Sequence, residues 1–388
     1  MGDAYNIARV FIFLREQDII MKIFLDNIVF DLQKAGGISV YWSELVKRYH
    51  GSGHEVTFIE QRPETSNIFR KQVEINPPNI FYQTCLPSKI SRYLPVRLNM
   101  DSPAIFHSSY FRVCNNANAI NIVTVYDFIY ELFESGLKQR VHRMQKKYAL
   151  NNADAIICIS ESTKVDLLKL YPYLSPAKVK VIHIAAGNEF SPLENITQVS
   201  GPYEQILNKK YILFVGSRSN YKNFNLAIEA VSKLNDFSLV AVGGGELTDN
   251  DNHKLSPIRD RFFHVKSPSC KDLNLLYNFA FCLLYPSSYE GFGIPIAEAM
   301  KAGCPVITSS VSSIPEVAGD AGLKLEIICA AEIVAKINSL EKESFRAEVI
   351  ERGYVQGNRF SWDRCFRETM ECYEQAYNNK LSLKMYDK

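Results

Sequence analysis

Long apolar runs are missing from this chain. No stretch reaches the roughly 18 to 20 consecutive apolar residues that a membrane-spanning helix needs, so no span is expected. An excess of one charge is missing too. Lys and Arg number 44 against 42 Asp and Glu, a net charge of +2. That balance gives no overall attraction to nucleic acid, and any basic surface must be local. The nine cysteines form neither a Cys-x-x-Cys pair nor a regular spacing, which argues against a zinc site or a disulfide framework and suits reduced thiols in the cytoplasm. Cys158, Cys282 and Cys304 lie in apolar runs and are expected in the core. A Gly-x-Gly-x-x-Gly fingerprint after the first strand of either half is absent, which disfavours an NAD-dependent dehydrogenase. There is no P-loop and no Gly-x-Ser-x-Gly elbow. No metal site is expected: Asp249-Asn250-Asp251 lies in the polar stretch TDNDNH, away from the glycine loops, and reads as a solvated loop.

What is present is a long alternation of short apolar runs and helical periods. A chain of 388 residues with 47% hydrophobic content is expected to form two domains of the α/β class. Residues 1–20 contain RVFIFLREQDII, an apolar patch broken by Arg15, Glu16 and Asp18 that fits neither a signal peptide nor a span. Met21 opens a better strand, so 1–20 reads as an N-terminal extension, an amphipathic anchor being the alternative. The first domain is expected over 21–190, with strands at Lys22 to Asp26, Glu55 to Glu60, Ala104 to His107, Ile120 to Val125, Ala155 to Ile159 and Lys178 to Ile184. Helices are expected from Ser39 to Tyr49, from about Leu137 to Asn151, and after the capping Ser160. Residues 191–209 read as a linker. The second domain, 210–360, repeats the pattern with strands at Tyr211 to Val215, Ser238 to Val242, Phe262 to Val265, Phe281 to Tyr285 and Pro305 to Thr308. Residues 361–388 read as a helix expected to cross back onto the first domain.

Three loops stand between a strand and a helix and hold residues suited to anions. In YEGFGIPIAEAM, Gly291 and Gly293 let the backbone approach a ligand, the helix start offers unpaired N–H groups, and Pro295 suits a first turn. Glu290 and Glu298 flank that turn; a plain βα turn with surface carboxylates is the bland alternative. In GSRSNYKN, Arg218 and Lys222 combine a planar fork with a compact charge, a pair suited to two phosphates, or else a solvated basic loop. KAGGIS, with Gly36 and Gly37, is the weakest of the three. Gly243 to Glu246, GGGE, lacks the spacing of a dinucleotide loop. His107 and Asp127 end strands of the first domain and are candidates to face a cleft, the alternatives being a structural histidine and a cap. Lys138, Arg140, Arg143, Lys146 and Lys147 share one helix, read as a solvated face or as a contact for anionic lipid or a phosphate-bearing acceptor.

EGFGIPIAEAM, with Glu290 and Glu298, resembles the Glu-x7-Glu motif of the large family 4 of retaining glycosyltransferases. The early AGGIS loop, CISESTKVDL, VGSRSNYKN, GCPVITSSVSSIPEVAGDAG and the terminal helix are similar to the same family, so the resemblance covers nearly the whole chain after Met21. It implies the GT-B fold, two Rossmann-like doubly wound domains facing a central cleft. It implies that Glu290 contacts hydroxyls of a donor sugar, that Gly291, Phe292, Gly293 and Ile294 line the sugar and diphosphate, and that Glu298 binds the ribose. Arg218 and Lys222 resemble the basic pair that neutralises the diphosphate, Lys266 falls where the base is read, and Gly37 approaches the donor from the first domain. Many members have His-Asp where this chain has Tyr126-Asp127, next to donor and acceptor. Tyr126 cannot carry a positive charge, and His107 is the candidate to compensate.

The resemblance implies a metal-independent hexosyltransferase without a cofactor, acting in bacterial surface polysaccharide (O-antigen or capsule) synthesis. A GDP-sugar, mannosyl-type donor is favoured over a UDP-sugar, with a saccharide acceptor, lipid-linked, at the inner face of the cytoplasmic membrane. Anionic membrane is a further expected contact and nucleic acid is not a partner. The alternatives are a nucleotide-sugar epimerase of like fold and a catalytically impaired nucleotide-sugar-binding subunit.

Overall fold

The structure, a computed structural model, describes residues 20–83, 86–194 and 203–386. The extension read at 1–20 therefore lies almost wholly outside the described residues. The first seven strands are β1 (Lys22–Asp26), β2 (Glu55–Glu60), β3 (Ile80–Tyr82), β4 (Ala104–Ser108), β5 (Ala119–Val125), β6 (Ala155–Cys158) and β7 (Val179–Val181). They form one sheet in the order β3-β2-β1-β4-β5-β6-β7. Strands β4 and β5 are buried along their whole length, which is why they read as mostly apolar without alternation: parallel strands covered by helices on both faces do not alternate.

The second sheet holds β8 (Tyr211–Val215), β9 (Ser238–Val242), β10 (Phe262–Val265), β11 (Cys282–Tyr285), β12 (Val306–Ser309) and β13 (Leu323–Leu325), in the order β10-β9-β8-β11-β12-β13. Strand β8 pairs in parallel with β9 on one side and β11 on the other. The chain thus winds outward from β8 in one direction, returns, and winds outward from β11 in the other. The crevice between the carboxyl ends of β8 and β11 is the point of reversal, where open α/β sheets take their ligands. Ile212, Phe214, Ala227, Leu239, Leu284, Ile307 and Ile333 form the core around this sheet. Both sheets are Rossmann-like, as expected.

Several local expectations are corrected. The last strand of the first sheet is only Val179–Val181. The TDNDNH stretch is no solvated loop: Asp249–Lys254 is a helix, and Thr248 and Asp251 cap it reciprocally. The helix Glu343–Gly357 was hidden in the sequence by its glycines. They serve packing, for a Cβ on Gly353 or Gly357 would lie 3.7 and 3.0 Å from Met300 and Lys301 side chains.

The chain divides into two compact units. One comprises the described residues up to Val123, Tyr148–Ala155 and those from Cys372; the other is Thr124–Lys147 with Ile156–Glu371. A boundary near 190–210 falls inside the second unit, in which Phe128 bonds to Tyr289, and Ser160 and Thr163 to Gly291. In the first unit the closing helix Trp362–Tyr386 supplies Tyr373, whose hydroxyl lies 2.8 Å from that of Tyr49.

Candidate functional site

The loops that follow β8 and β11 are stitched together. Asn223 adopts a left-handed conformation (φ 55°), which turns its amide toward the second loop, where it donates to the Pro286 carbonyl and to Ser288 Oγ, each at 2.8 Å. The Ser288 N–H donates to the Tyr221 carbonyl at 2.7 Å. This stitching carries Lys222, in the short turn Asn220–Lys222, under the second loop. Its ammonium is buried and donates to Tyr285 Oη at 3.0 Å and to the Glu290 carboxylate. Burial works against that charge, but Tyr285 and Glu290 outweigh it and hold the Lys222 ammonium well above its ordinary range. Glu290 is itself 8% exposed. Its N–H donates to Ser312 Oγ at 3.2 Å, and its carbonyl accepts from Ser313 Oγ at 2.9 Å.

Residues 291–294 continue into the helix Ile294–Lys301, with Gly293 as its N-cap at φ 103°, a conformation that favours glycine. Gly291 is required for another reason. A Cβ there would lie 1.9 Å from the Tyr126 carbonyl oxygen, so the close approach this glycine permits is to a neighbouring backbone. The Gly291 carbonyl accepts from Ser160 Oγ at 2.7 Å and Thr163 Oγ1 at 3.2 Å. Tyr289 Oη accepts from the Phe128 N–H at 3.2 Å and donates to Asp166 at 2.8 Å. The Phe292 ring is buried against Phe360 at 5.3 Å between centroids, so only its backbone is free to line a ligand. Glu298, one turn along the helix, accepts from Tyr277 Oη at 2.9 Å. Burial pushes its carboxyl up to about 7 although Tyr277 opposes the shift.

Other expected site residues lie elsewhere or are engaged. Arg218 does not join Lys222. Its guanidinium turns to the loop after β9 and donates to the carbonyls of Gly243, Gly244, Gly245 and Glu246. Lys266 is exposed after β10 and pairs with Glu246 at 2.6 Å. Gly37 is exposed at the first turn of the helix Gly37–Tyr49 in the first unit. His107 is corrected from a cleft residue to a core one. It is fully buried, with Nδ1 2.6 Å from Tyr373 Oη and its ring edge-on to Trp42 at 5.0 Å. Burial lowers its pKa to about 3, leaving a neutral imidazole with no route to an acceptor.

Tyr126 is buried, and its carbonyl faces Gly291. Asp127 accepts from the N–H of Ile129, the first residue of the helix Ile129–Phe133, at 3.1 Å; burial raises its pKa against the pull of Lys146. Lys146 corrects the picture of a solvated basic face. It has no exposed surface and donates to the Asp127 carbonyl at 2.9 Å and to Glu131 at 2.8 Å. Glu131, Thr163, Tyr277 and Tyr289 carried no signal in the sequence, Lys146 was read as part of a solvated face, and Ser160 was visible only as a helix cap.

Chemically, the crevice offers a buried cation, a carboxylate held in place by it, and the amino end of an eight-residue helix, a combination suited to a polyhydroxylated ligand with an anionic tail. Among the described residues no group of three or more His, Cys, Asp or Glu is arranged to hold a metal ion.

Family models match along the chain, and solved structures share its fold. The model for "Glycosyl transferases group 1" matches residues 197–356, and that for "Glycosyltransferase Family 4" matches residues 35–185. O-antigen chain mannosyltransferase B of Escherichia coli is 28% identical over 87% of this chain and 96% of its own. Sucrose-phosphate synthase of Thermosynechococcus elongatus superimposes with a TM-score of 0.70 at 17% identity, covering 92% of this chain and 100% of that one. A protein of Anabaena solved with UDP-glucose gives 0.68 at 14% identity, covering 92% of this chain and 100% of its own.

Proposed function

The chain belongs to the glycosyltransferases of group 1 and family 4, with the GT-B fold, and from that premise we propose that it transfers a sugar from a nucleoside-diphosphate-sugar to a saccharide acceptor with retention of configuration. The observation that carries this reading is the Lys222 to Glu290 pair at the crevice between β8 and β11. Glu290 grips hydroxyls of the donor sugar. Lys222 and the N–H groups at the start of the helix Ile294–Lys301 take the negative charge that builds on the departing nucleoside diphosphate, so leaving-group departure needs no metal ion. Glu298 binds the ribose, Lys266 lies on the side of the base, and the backbone of Gly291 to Ile294 follows the sugar and diphosphate. Tyr126 and Asp127 stand on the acceptor side.

A mannosyl donor carried by GDP is favoured over a UDP-sugar because a relative matched over most of both chains is an O-antigen chain mannosyltransferase. The acceptor is then a saccharide, lipid-linked, of bacterial surface polysaccharide. No helix among the described residues is long and apolar enough to cross a membrane. A peripheral contact with anionic membrane is supported by the helix Gly136–Asn151, where Leu137, Val141 and Met144 form an exposed stripe flanked by exposed Lys138, Arg140 and Lys147.

The test is a panel of nucleotide-sugars screened for thermal stabilisation, followed by turnover of Glu290→Ala with the donor that binds. The expected result is selective stabilisation by one nucleotide-sugar and loss of transfer in a variant that stays folded. Near-native turnover of Glu290→Ala would refute the assignment. Conversion of the donor without acceptor would identify an epimerase instead.

A further inference from the structure

The loop after β9 is built in an unusual way. Gly243, Gly244 and Gly245 stand at φ 80°, 78° and 72°, three successive residues in a region that only glycine enters at no steric cost. Four successive carbonyls, Gly243 to Glu246, converge on the Arg218 guanidinium, at 3.1, 3.1, 3.2 and 2.6 Å. Carbonyl dipoles aimed at one point repel each other, so this turn requires a cation at its focus. Arg218 is anchored from behind: Nε donates to Asp251 at 3.4 Å, and Asp251 is itself fixed by the Thr248 N–H and hydroxyl at 2.9 and 2.8 Å. Nη1 also lies 3.3 Å from His264 Nε2. A guanidinium has five N–H groups, and here its Nε and both terminal nitrogens are engaged. The side chain is only 5% exposed. Little of it remains to offer a diphosphate.

The loop has a second tie. Its first N–H, that of Gly243, donates to the Val265 carbonyl at 2.9 Å, and the Glu246 side chain pairs with Lys266 beyond β10. Along the carboxyl edge of the sheet the order is therefore the Glu290 loop after β11, the Lys222 loop after β8, the Gly243 to Glu246 loop after β9, and Lys266 after β10. Strands lie about 4.8 Å apart, so the edge from β11 to β10 measures about 14 Å, long enough for a sugar at one end and a nucleoside at the other. We propose that Arg218 is a positioning residue that moulds the Gly243 to Glu246 loop into the wall against which the nucleoside half of the donor lies, and is not a ligand of the diphosphate. This rests on the donor reading above.

Arg218→Lys and Arg218→Ala, with Gly244→Ala as a variant that leaves Arg218 in place, test it by donor kinetics and by hydrogen exchange of residues 243–251. In Gly244→Ala the new Cβ would stand 2.6 Å from Arg218 Nη1 at a φ that disfavours it. The expected result is a donor KM raised roughly tenfold or more with kcat at saturating donor little changed, the signature of lost uniform binding. Lys should not rescue, since one ammonium cannot span four carbonyls, and exchange across 243–251 should quicken in all three variants. A charge acting on the leaving group would behave oppositely, with kcat down roughly 10²-fold or more and substantial rescue by Lys. That outcome, or unchanged exchange in Arg218→Ala, overturns the proposal. If Arg218→Ala does not fold, Gly244→Ala gives the same reading of KM and exchange. Wild-type behaviour of Lys222→Ala and Glu290→Ala would instead refute the donor reading on which this rests.

Discussion

Replacing Gly291 by Ala adds one methyl group at the most crowded point of the donor loop. The new Cβ would lie 1.9 Å from the Tyr126 carbonyl oxygen, 3.0 Å from its carbon and 3.1 Å from Asp127 Cβ. Carbon reaches its best contact at about 3.5 Å, so the two backbones must separate by more than 1 Å. Neither is a loose side-chain end. The Gly291 carbonyl is held by Ser160 and Thr163, and the residues after Tyr126 are held by Tyr289 and Lys146. Overpacking of this kind costs about 1–3 kcal/mol, within the roughly 5–15 kcal/mol a domain has to lose, so the variant should fold with a lowered melting temperature. Activity should suffer more. A displacement of about 1 Å at a reacting centre costs roughly 10²-fold in rate, and Glu290 is the residue immediately before the methyl. The assay is turnover at saturating donor and acceptor beside a thermal melt. Unchanged rate and unchanged melting temperature would refute the reasoning, because the close approach would then have no consequence. A lowered melting temperature with full activity would show that the loop relaxes without moving Glu290.

Glu298 ties the site to pH. Its carboxyl is raised from an ordinary 4.5 to about 7, so between those values the folded protein holds a proton that the unfolded chain has released. Stability should therefore fall as pH rises through that window, by at most about 3 kcal/mol, and Glu298→Gln should flatten this part of the profile in denaturant titrations. Donor affinity should rise as pH passes 7, since the ionised carboxylate accepts from two ribose hydroxyls; an affinity flat from pH 6 to 8 would argue against the ribose role. Lys146→Met leaves the Glu131 carboxylate and the Asp127 carbonyl without their buried partner, and should destabilise by about 3–5 kcal/mol in urea unfolding. Leu137→Asp with Met144→Asp should abolish cosedimentation with vesicles containing phosphatidylglycerol while leaving the melting temperature unchanged; retained cosedimentation would remove the membrane contact from the proposal.

Much of this architecture was legible because it is local. Strands β1, β2, β8, β9 and β10 run over the residues expected of them, while the Lys222 and Glu290 loops are adjacent because β8 pairs with β11. Side-chain destinations were less legible where the partner comes from a distant segment. His107 stands at a strand end like a site residue, but Trp42 lies 65 residues before it and Tyr373 lies 266 after it, and no local pattern shows that these three close on one another. Arg218 reads as a phosphate clamp until four carbonyls from beyond residue 242 claim its fork.

Lys146 is a different case, for its signal was present in the sequence. As one cation among five in a basic tract it looks solvated. Helical spacing places it elsewhere: His142, Gln145, Lys146, Ala149 and Leu150 recur at intervals of three and four, all are buried, and Leu137, Lys138, Val141 and Met144 fall on the exposed side. A cation on the apolar stripe of a helix has to find a buried partner or give up its charge. Glu131, on the preceding helix, is that partner, and the same ammonium reaches the Asp127 carbonyl beside Tyr126. The helical period, applied to charge as well as to apolar residues, separates the cations available to a membrane from the one that props the segment packed against the donor loop.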